Sequence, residues 1–200
     1  MPDFSFELEI GGRVAGVDEV GRGPLAGPVM AAAVVLNPDD IPDGLNDSKA
    51  LSAKRREALY TELMARADVS VGSASVEEID EHNILRASHI AMMRAIAGLS
   101  VPPDHVLIDG NMVPRGLNLA ATTVIKGDAR SLSIAAASIV AKIRRDRLMV
   151  DLAQQHPGYG WETNMGYPSK SHREALQIIG VTPHHRRSFK PVHNILYQEK

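Results

Sequence analysis

Arg13–Pro28, RVAGVDEVGRGPLAGP, decides the reading of this chain, because it sets two carboxylates, four glycines and an arginine behind a short apolar run. Val14, Ala15 and Val17 have the pattern of a buried strand, and Asp18 and Glu19 stand where that strand should leave the core. Successive strand residues point to opposite faces, so the two acids serve one site only if the strand ends or bulges there. Gly21 and Gly23 supply the backbone freedom for that. Adjacent buried carboxylates are costly without compensation, and the apolar run holds no lysine or arginine to neutralise them. A divalent cation is the natural partner.

Working outward, Val29–Leu36 (VMAAAVVL) is a continuous apolar run, bounded by Pro28 and Asn37-Pro38, that fits a central strand paired with the first. A polar loop, 37–50, leads to a helix from Ser52, as N-cap, to about Ala67, with Leu59 and Leu63 on one face. A third strand is expected over Val69–Ser73. Ser75 and Glu78 form a capping-box pair that opens a helical region with an apolar stripe of Leu85, Met92, Ile96 and Leu99, read as core packing.

After Pro102-Pro103, His105–Ile108 is a short strand running into Asp109-Gly110, and Thr122–Ile125 runs into Lys126-Gly127-Asp128. Three strands thus each end in an acid near a glycine. Each acid alone would be an ordinary turn residue. Together they point to the carboxyl ends of adjacent strands, where open α/β sheets place their sites.

Ser131 or Ser133 caps a long helix, SIAAASIVAKIRRDRLMVDLAQQ, whose Lys142, Arg144, Arg145 and Arg147 read as a basic patch. A Gly- and aromatic-rich loop, 158–170, follows. Ser171 and Glu174 read as a second capping box, for a helix that stops at Gly180. The tail is basic and punctuated by proline.

The 200 residues suit a single domain, spanning 1–200, and 44% hydrophobic content with few aromatics suits an α/β protein. No apolar run nears the roughly 18 residues of a membrane helix, and MPDFSFELEI lacks the basic flank of a signal peptide. No membrane association is expected, and the cytosol is the expected compartment. With no cysteine, any metal must be held by oxygen or imidazole. The net charge of −2 argues against a general polyanion binder. Its distribution is uneven: nine acids against three bases in residues 1–50, five against ten in residues 141–200.

Asp18, Glu19, Asp109 and Asp128 form a hard-oxygen set suited to Mg²⁺ or Mn²⁺. Two such ions about 4 Å apart can activate a water and stabilise the leaving oxygen of an in-line displacement, the chemistry of phosphodiester cleavage. The glycine turn lets backbone approach a ligand, and Arg22, Lys49 and the basic helix can face phosphates. Tyr159, Trp161 and Tyr167 are candidates to stack on a sugar or base, with loop packing an equal alternative for each. His184-His185-Arg186-Arg187 is read as structural or phosphate-facing rather than metal-binding, since adjacent side chains on an extended segment diverge and the following arginines are expected to lower the histidines' basicity and repel a cation.

These segments closely resemble ribonuclease HII, the type 2 RNase H family. The matching pieces are VAGVDEVGRGPLAGPV at 14–29, LNDSKALS at 45–52, LIDGN at 107–111, VIKGDARSLSIAAASIVAKIRRDRLM at 124–149, HPGYGW with MGYPSKSH at 156–172, and HHRRSFKPV at 184–192. The resemblance implies an α/β, RNase H-like fold, a mixed five-stranded sheet flanked by helices, with a C-terminal helical extension over about 158–200 that contacts substrate. It implies a two-metal endonuclease, with Mg²⁺ or Mn²⁺, that cleaves the RNA strand of RNA/DNA hybrids. It also implies nicking 5′ of single ribonucleotides in duplex DNA, leaving 3′-hydroxyl and 5′-phosphate ends, as in ribonucleotide removal. Asp18, Glu19, Asp109 and Asp128 match the metal-binding catalytic acids. Gly21, Arg22 and Gly23 match the element that reads the 2′-hydroxyl at the RNA to DNA junction, Tyr167 the tyrosine that stacks on the following sugar, and Lys49 a phosphate-contacting lysine. A monomer acting on hybrid and ribonucleotide-containing duplex is expected.

Ribonuclease HIII is the nearest alternative family, but it carries a GxGDYFGP-like opening where this chain has GRGPLAGP. Where many relatives carry a His-Lys pair before the Gly-Tyr, this chain has Asn164-Met165, which bears on substrate affinity more than on chemistry. Two other function classes compete. A Mg²⁺-dependent phosphohydrolase of small phosphate esters would leave the aromatic loop and basic tail without a role, and a silent nucleic-acid-binding module would need an acid to be missing.

Overall fold

The structure is a computed structural model and describes residues 1–197. The last three residues of the expected substrate-contacting tail, 198–200, lie outside the described residues. In chain order the elements are α1 (Ser5–Ile10), β1 (Val14–Val20), β2 (Val29–Val35), α2 (Ala53–Arg66), β3 (Asp68–Ala74), α3 (Val76–His82), α4 (Ile84–Ala97), β4 (His105–Asp109) and β5 (Ala120–Val124). A 3₁₀ turn at Gly127–Ala129 then leads to α5 (Leu132–Gln155), α6 (Trp161–Asn164), α7 (Lys170–Ile179) and α8 (Lys190–Tyr197).

All seven residues of β2 are buried, which a strand achieves only when both its faces are covered. It lies inside one five-stranded sheet of order β3-β2-β1-β4-β5. β1 runs antiparallel to β2 and parallel to β4, and β4 runs parallel to β5, so the sheet is mixed as expected. On one face α3 and α4 cover Ala15, Val17, Ala31 and Ile108; on the other, α2 and α5 cover Ala32, Val34 and their neighbours. Closeness is built into the second face. A Cβ on Gly16 would lie 2.1 Å from the Ser133 carbonyl carbon, so α5 can rest on β1 only because position 16 is bare. Among the described residues no helix is long and apolar enough to cross a membrane.

Several local expectations need correction. β1 does not end at Asp18 but continues through Val20, with Asp18 opposite Ala32 and Glu19 opposite Ala31. The region after Ser75 is two helices, not one, broken at Asn83, whose backbone is left-handed (φ 68°) and whose side chain caps α4. Leu85, beside that break, is exposed, while Met92, Ile96 and Leu99 are in the core. Ser131, not Ser133, caps α5 by accepting from the Ile134 amide at 3.2 Å. Ser133 instead donates to the buried Glu7 carboxylate at 2.5 Å. The cap of α7 is Ser169, which accepts from the His172 amide; Ser171 lies inside the helix.

The C-terminal segment packs through its own cluster. Trp161, Tyr159, Leu176 and Val192 join Leu25 and Ala26 of the β1–β2 turn and Met149 of α5. The segment therefore props the turn from below.

Candidate active site

Parallel pairing decides where the acids go. Val17 of β1 is level with Ile108 of β4, and Asp109 with Val124 of β5. One step on, Asp18 and Asp109 occupy adjacent strands, about 4.8 Å apart, on the face toward α5. Asp109 Oδ1 accepts the Gly127 amide at 2.7 Å, which ties the 3₁₀ turn carrying Asp128 to the end of β4. Glu19 leaves the opposite face of β1, one residue before the carboxyl end of the strand. It lines both this cleft and a neighbouring cavity beside α4 with Leu85, His89 and Met112. The two adjacent acids thus border one cleft without a break in the strand, because β1 ends one residue past Glu19.

The resulting cavity, about 420 Å³, is lined by Asp18, Glu19, Asp109 and Asp128, by Gly21, Arg22 and Gly23, and by Ser48, Lys49, Ser138, Lys142 and Tyr167. The four acids, Gly21, Arg22, Gly23, Lys49 and Tyr167 all lie on it, as the resemblance implies. Asp18 is 7% exposed. Burial, then the neighbouring Glu19, Asp109 and Asp128, push its carboxyl well above the usual carboxylate range, against a Ser138 hydrogen bond. Burial raises Glu19 as well, although Arg22, whose Nη1 lies 3.3 Å from Oε1, opposes the shift. Asp128 is raised by burial, Asp109 and Asp47, with Lys49 working the other way. Partial desolvation disfavours the Lys49 ammonium, but Asp47, Asp128, Asp18 and Asp109 outweigh it and raise its pKa.

The donor set is oxygen only, as a hard divalent ion requires. The clustered negative charge, with one arginine against Glu19 and one lysine nearby, is what such an ion would relieve. Among the described residues no three His, Asp or Glu side chains close into a ligand cluster, so the carboxylates border the cleft as mutually repelling groups. Their chemistry fits the ion.

The remaining candidates divide. Tyr167 is 44% exposed and faces the cleft, whereas Tyr159 (3%) and Trp161 (0%) are core residues that cannot reach a substrate. Their place in the loop is therefore met by core packing and does not itself disfavour a small-ester phosphohydrolase. The basic patch is also dispersed. Lys142 pairs with Asp146 at 2.8 Å, Arg147 pairs with Glu57 and lies over the Tyr60 ring, Arg144 is exposed and Arg145 is buried. Asn164 braces the loop: its Nδ2 donates to the Tyr159 carbonyl at 2.8 Å and its Oδ1 accepts the Gly166 amide at 2.8 Å.

His185 is structural, as one of the two readings had it. Burial first, then His172 and His184, hold it down to about 3; the following arginines are not the cause. Its partners assign the tautomers. The Thr182 amide donates to His185 Nδ1 at 3.0 Å, so the proton sits on Nε2, 3.1 Å from His172 Nε2. That nitrogen also accepts from Trp161 Nε1 at 3.1 Å, leaving His172 Nδ1–H to donate to the Tyr167 carbonyl at 2.9 Å. Sequence reasoning missed this support and the Ser48–Ser138 hydroxyl pair, 2.8 Å apart beside Asp18. The doubled histidines were its one visible signal.

A mixed five-stranded sheet with acids gathered at the ends of β1, β4 and β5 defines a nuclease of the RNase H-like class. The family model for ribonuclease HII matches residues 15–192. Ribonuclease HII of Roseobacter denitrificans is 74% identical over 188 residues, covering 94% of this chain and 95% of that protein. Ribonuclease HII of Ruegeria pomeroyi is 69% identical over 203 residues, covering 100% of this chain and 87% of that protein. The crystal structure of ribonuclease H2 from Pyrococcus horikoshii superposes with a TM-score of 0.78 at 28% identity, covering 93% of this chain and 98% of that one. The chain belongs to the ribonuclease HII family. It is a ribonuclease H, a divalent-metal-dependent hydrolase acting on RNA/DNA substrates.

Proposed function

We propose that this enzyme cleaves the RNA strand of RNA/DNA hybrids and nicks on the 5′ side of single ribonucleotides in duplex DNA, leaving 3′-hydroxyl and 5′-phosphate ends, in ribonucleotide removal. One observation carries the reading: the four acids, the Gly21–Gly23 turn, Lys49 and Tyr167 border a single cavity. Asp18, Glu19, Asp109 and Asp128 hold Mg²⁺ or Mn²⁺, which when bound supplies water activation and charge neutralisation at the phosphate. Arg22 keeps Glu19 oriented, Lys49 faces a phosphate, and the 21–23 turn approaches the ribose 2′-hydroxyl that DNA lacks. Tyr167 lies against Gly23, where an added Cβ would be 3.3 Å from Cε1, and offers its ring to the sugar after the junction. We read the chain as one catalytic domain that acts as a monomer.

The test is a nick-position assay with Mg²⁺ on a duplex carrying one ribonucleotide. A single nick 5′ of the ribonucleotide with a free 3′-hydroxyl is expected. No nick, or a 2′,3′-cyclic phosphate end, overturns the reading.

A further inference from the structure

Two of the largest fully buried side chains are arginines, Arg145 at 1% and Arg186 at 0% exposure, and both lie directly behind the β1–β2 turn. Among the described residues neither has a carboxylate within salt-bridge distance. All their hydrogen bonds go to main-chain carbonyls. Arg186 donates to Gly21 (2.6 Å), Arg22 (2.9 Å) and Gly27 (2.9 Å). Arg145 donates to Ala26 (3.0 Å), Pro28 (3.0 Å) and Met165 (2.9 Å). Burial lowers Arg145 to about 10, and burial with Arg145's repulsion lowers Arg186 to about 9, so both stay charged at neutral pH.

Unpaired buried cations are expensive, and apolar side chains of similar volume would serve packing at lower cost. What the guanidinium forks accomplish is an asymmetry in the turn. The Leu25 amide is taken by the Gly166 carbonyl and the Gly27 amide by the His184 carbonyl, and the Leu25 carbonyl by the Arg186 amide. The amides of Arg22 and Gly23 have no acceptor among the described residues. Gly21 completes the fit: its φ is +92°, and a Cβ there would meet Arg145 Nε at 2.2 Å.

We infer that Arg186 and Arg145 are positioning residues for the Gly21–Gly23 turn: Arg186 draws the Gly21 and Arg22 carbonyls inward, and Arg145 packs against Gly21 and braces the returning chain at Ala26 and Pro28, so that the Arg22 and Gly23 amides meet an acceptor oxygen of the substrate ribose. The inference rests on the reading that this turn faces the ribose. A fork takes two or three carbonyls at fixed angles, which a lysine ammonium cannot reproduce. Charge behind each peptide also polarises its amide toward an acceptor.

The experiment measures binding, in Ca²⁺, of two duplexes identical except that one carries a single ribonucleotide. The wild-type enzyme is expected to prefer the ribonucleotide duplex by about tenfold, the worth of one or two hydrogen bonds. Arg145→Lys and Arg186→Lys keep the charge, and each is expected to retain all-DNA affinity while the preference falls below about twofold. Variants that keep the preference, or lose affinity for both duplexes in equal proportion, overturn the positioning role. A wild-type enzyme without any preference overturns the reading of the turn itself. If circular dichroism shows the variants unfolded, amide NMR of the wild type decides. The Arg22 and Gly23 resonances must move downfield with the ribonucleotide duplex and not with its all-DNA counterpart; failure to do so overturns the inference.

Discussion

Asp18 is the acid whose removal separates chemistry from binding. It is the most buried of the four and faces the other three, so its charge is unfavourable to the fold and useful only to a cation. Asp18→Asn keeps the volume and the Glu19 amide as a hydrogen-bond donor (2.7 Å). Cleavage is expected to fall about a thousandfold or more with loss of a metal-activating ligand, while hybrid binding holds, as a cleavage assay paired with a filter-binding titration will show. Simultaneous loss of binding would mark the residue as structural. Tyr167→Ala is expected to weaken cleavage at one embedded ribonucleotide more than cleavage of a continuous hybrid, because only the former has a deoxyribose immediately after its single 2′-hydroxyl. Equal losses in side-by-side rate measurements would refute that role. The acids were legible in sequence because hard-oxygen donors beside glycine at strand ends have few other uses. Arg145 and Arg186 were not, since arginine ordinarily reads as a solvated charge and nothing local announces that most of their partners are carbonyls more than 100 residues away.

At the level of elements, α5 is the beam that joins the sheet to the site. It brings Ser138 toward Asp18 and Arg145 under the turn, and its seat on β1 depends on the missing Cβ of Gly16. Gly16→Ala forces backbone against backbone, and overpacking of this kind costs about 1–3 kcal/mol or more. A denaturant melt should show at least that loss, with residual activity falling further than stability because Asp18 and Arg145 shift together. An unchanged melting curve would mean that α5 yields easily. Capping chemistry explains how well the helices could be read: the Ser52 cap and the Ser75–Glu78 box stand as expected, both made by local hydrogen bonds. The break at Asn83 has no signal because an asparagine of positive φ inside a continuous apolar stripe has no pattern of its own, and of the competing caps Ser131 and Ser133 the contact of Ser133 with Glu7 decides. The pairing of β2 with β1 was legible in the apolar runs and the mixed five-stranded sheet in the resemblance, but neither carried the strand order, because hydrophobic runs do not say that β1 also pairs with β4.

For the whole molecule, two buried groups of opposite character set the response to acid and to metal. His185, held down to about 3, and His172, also lowered by burial, refuse protons that the unfolded chain accepts below about pH 6.5. Stability therefore falls as pH drops through that window, by up to about 1.4 kcal/mol per pH unit for each such group. Protonation of His172 would also place a second proton between the facing Nε2 atoms of the pair. His185→Asn should flatten the stability curve between pH 6 and 4 by close to one proton, as urea melts across that range will measure; an unaltered slope would refute the assignment. The cleft acts in the opposite sense. Its carboxylates repel one another when no cation lies between them, so a divalent ion should bind the folded chain in preference to the unfolded one. At a tenfold excess of Mg²⁺ over its dissociation constant the gain is about 1.4 kcal/mol, which for a chain of this size raises the thermal midpoint by about 3–5 °C. EDTA should reverse the rise, and sodium chloride at equal ionic strength should not reproduce it. Asp18→Asn should melt higher than the wild type without metal, because a buried charge has gone, and should gain little from Mg²⁺. An equal Mg²⁺ increment in wild type and variant would place the ion elsewhere on the surface and break the link between the buried carboxylate and the metal.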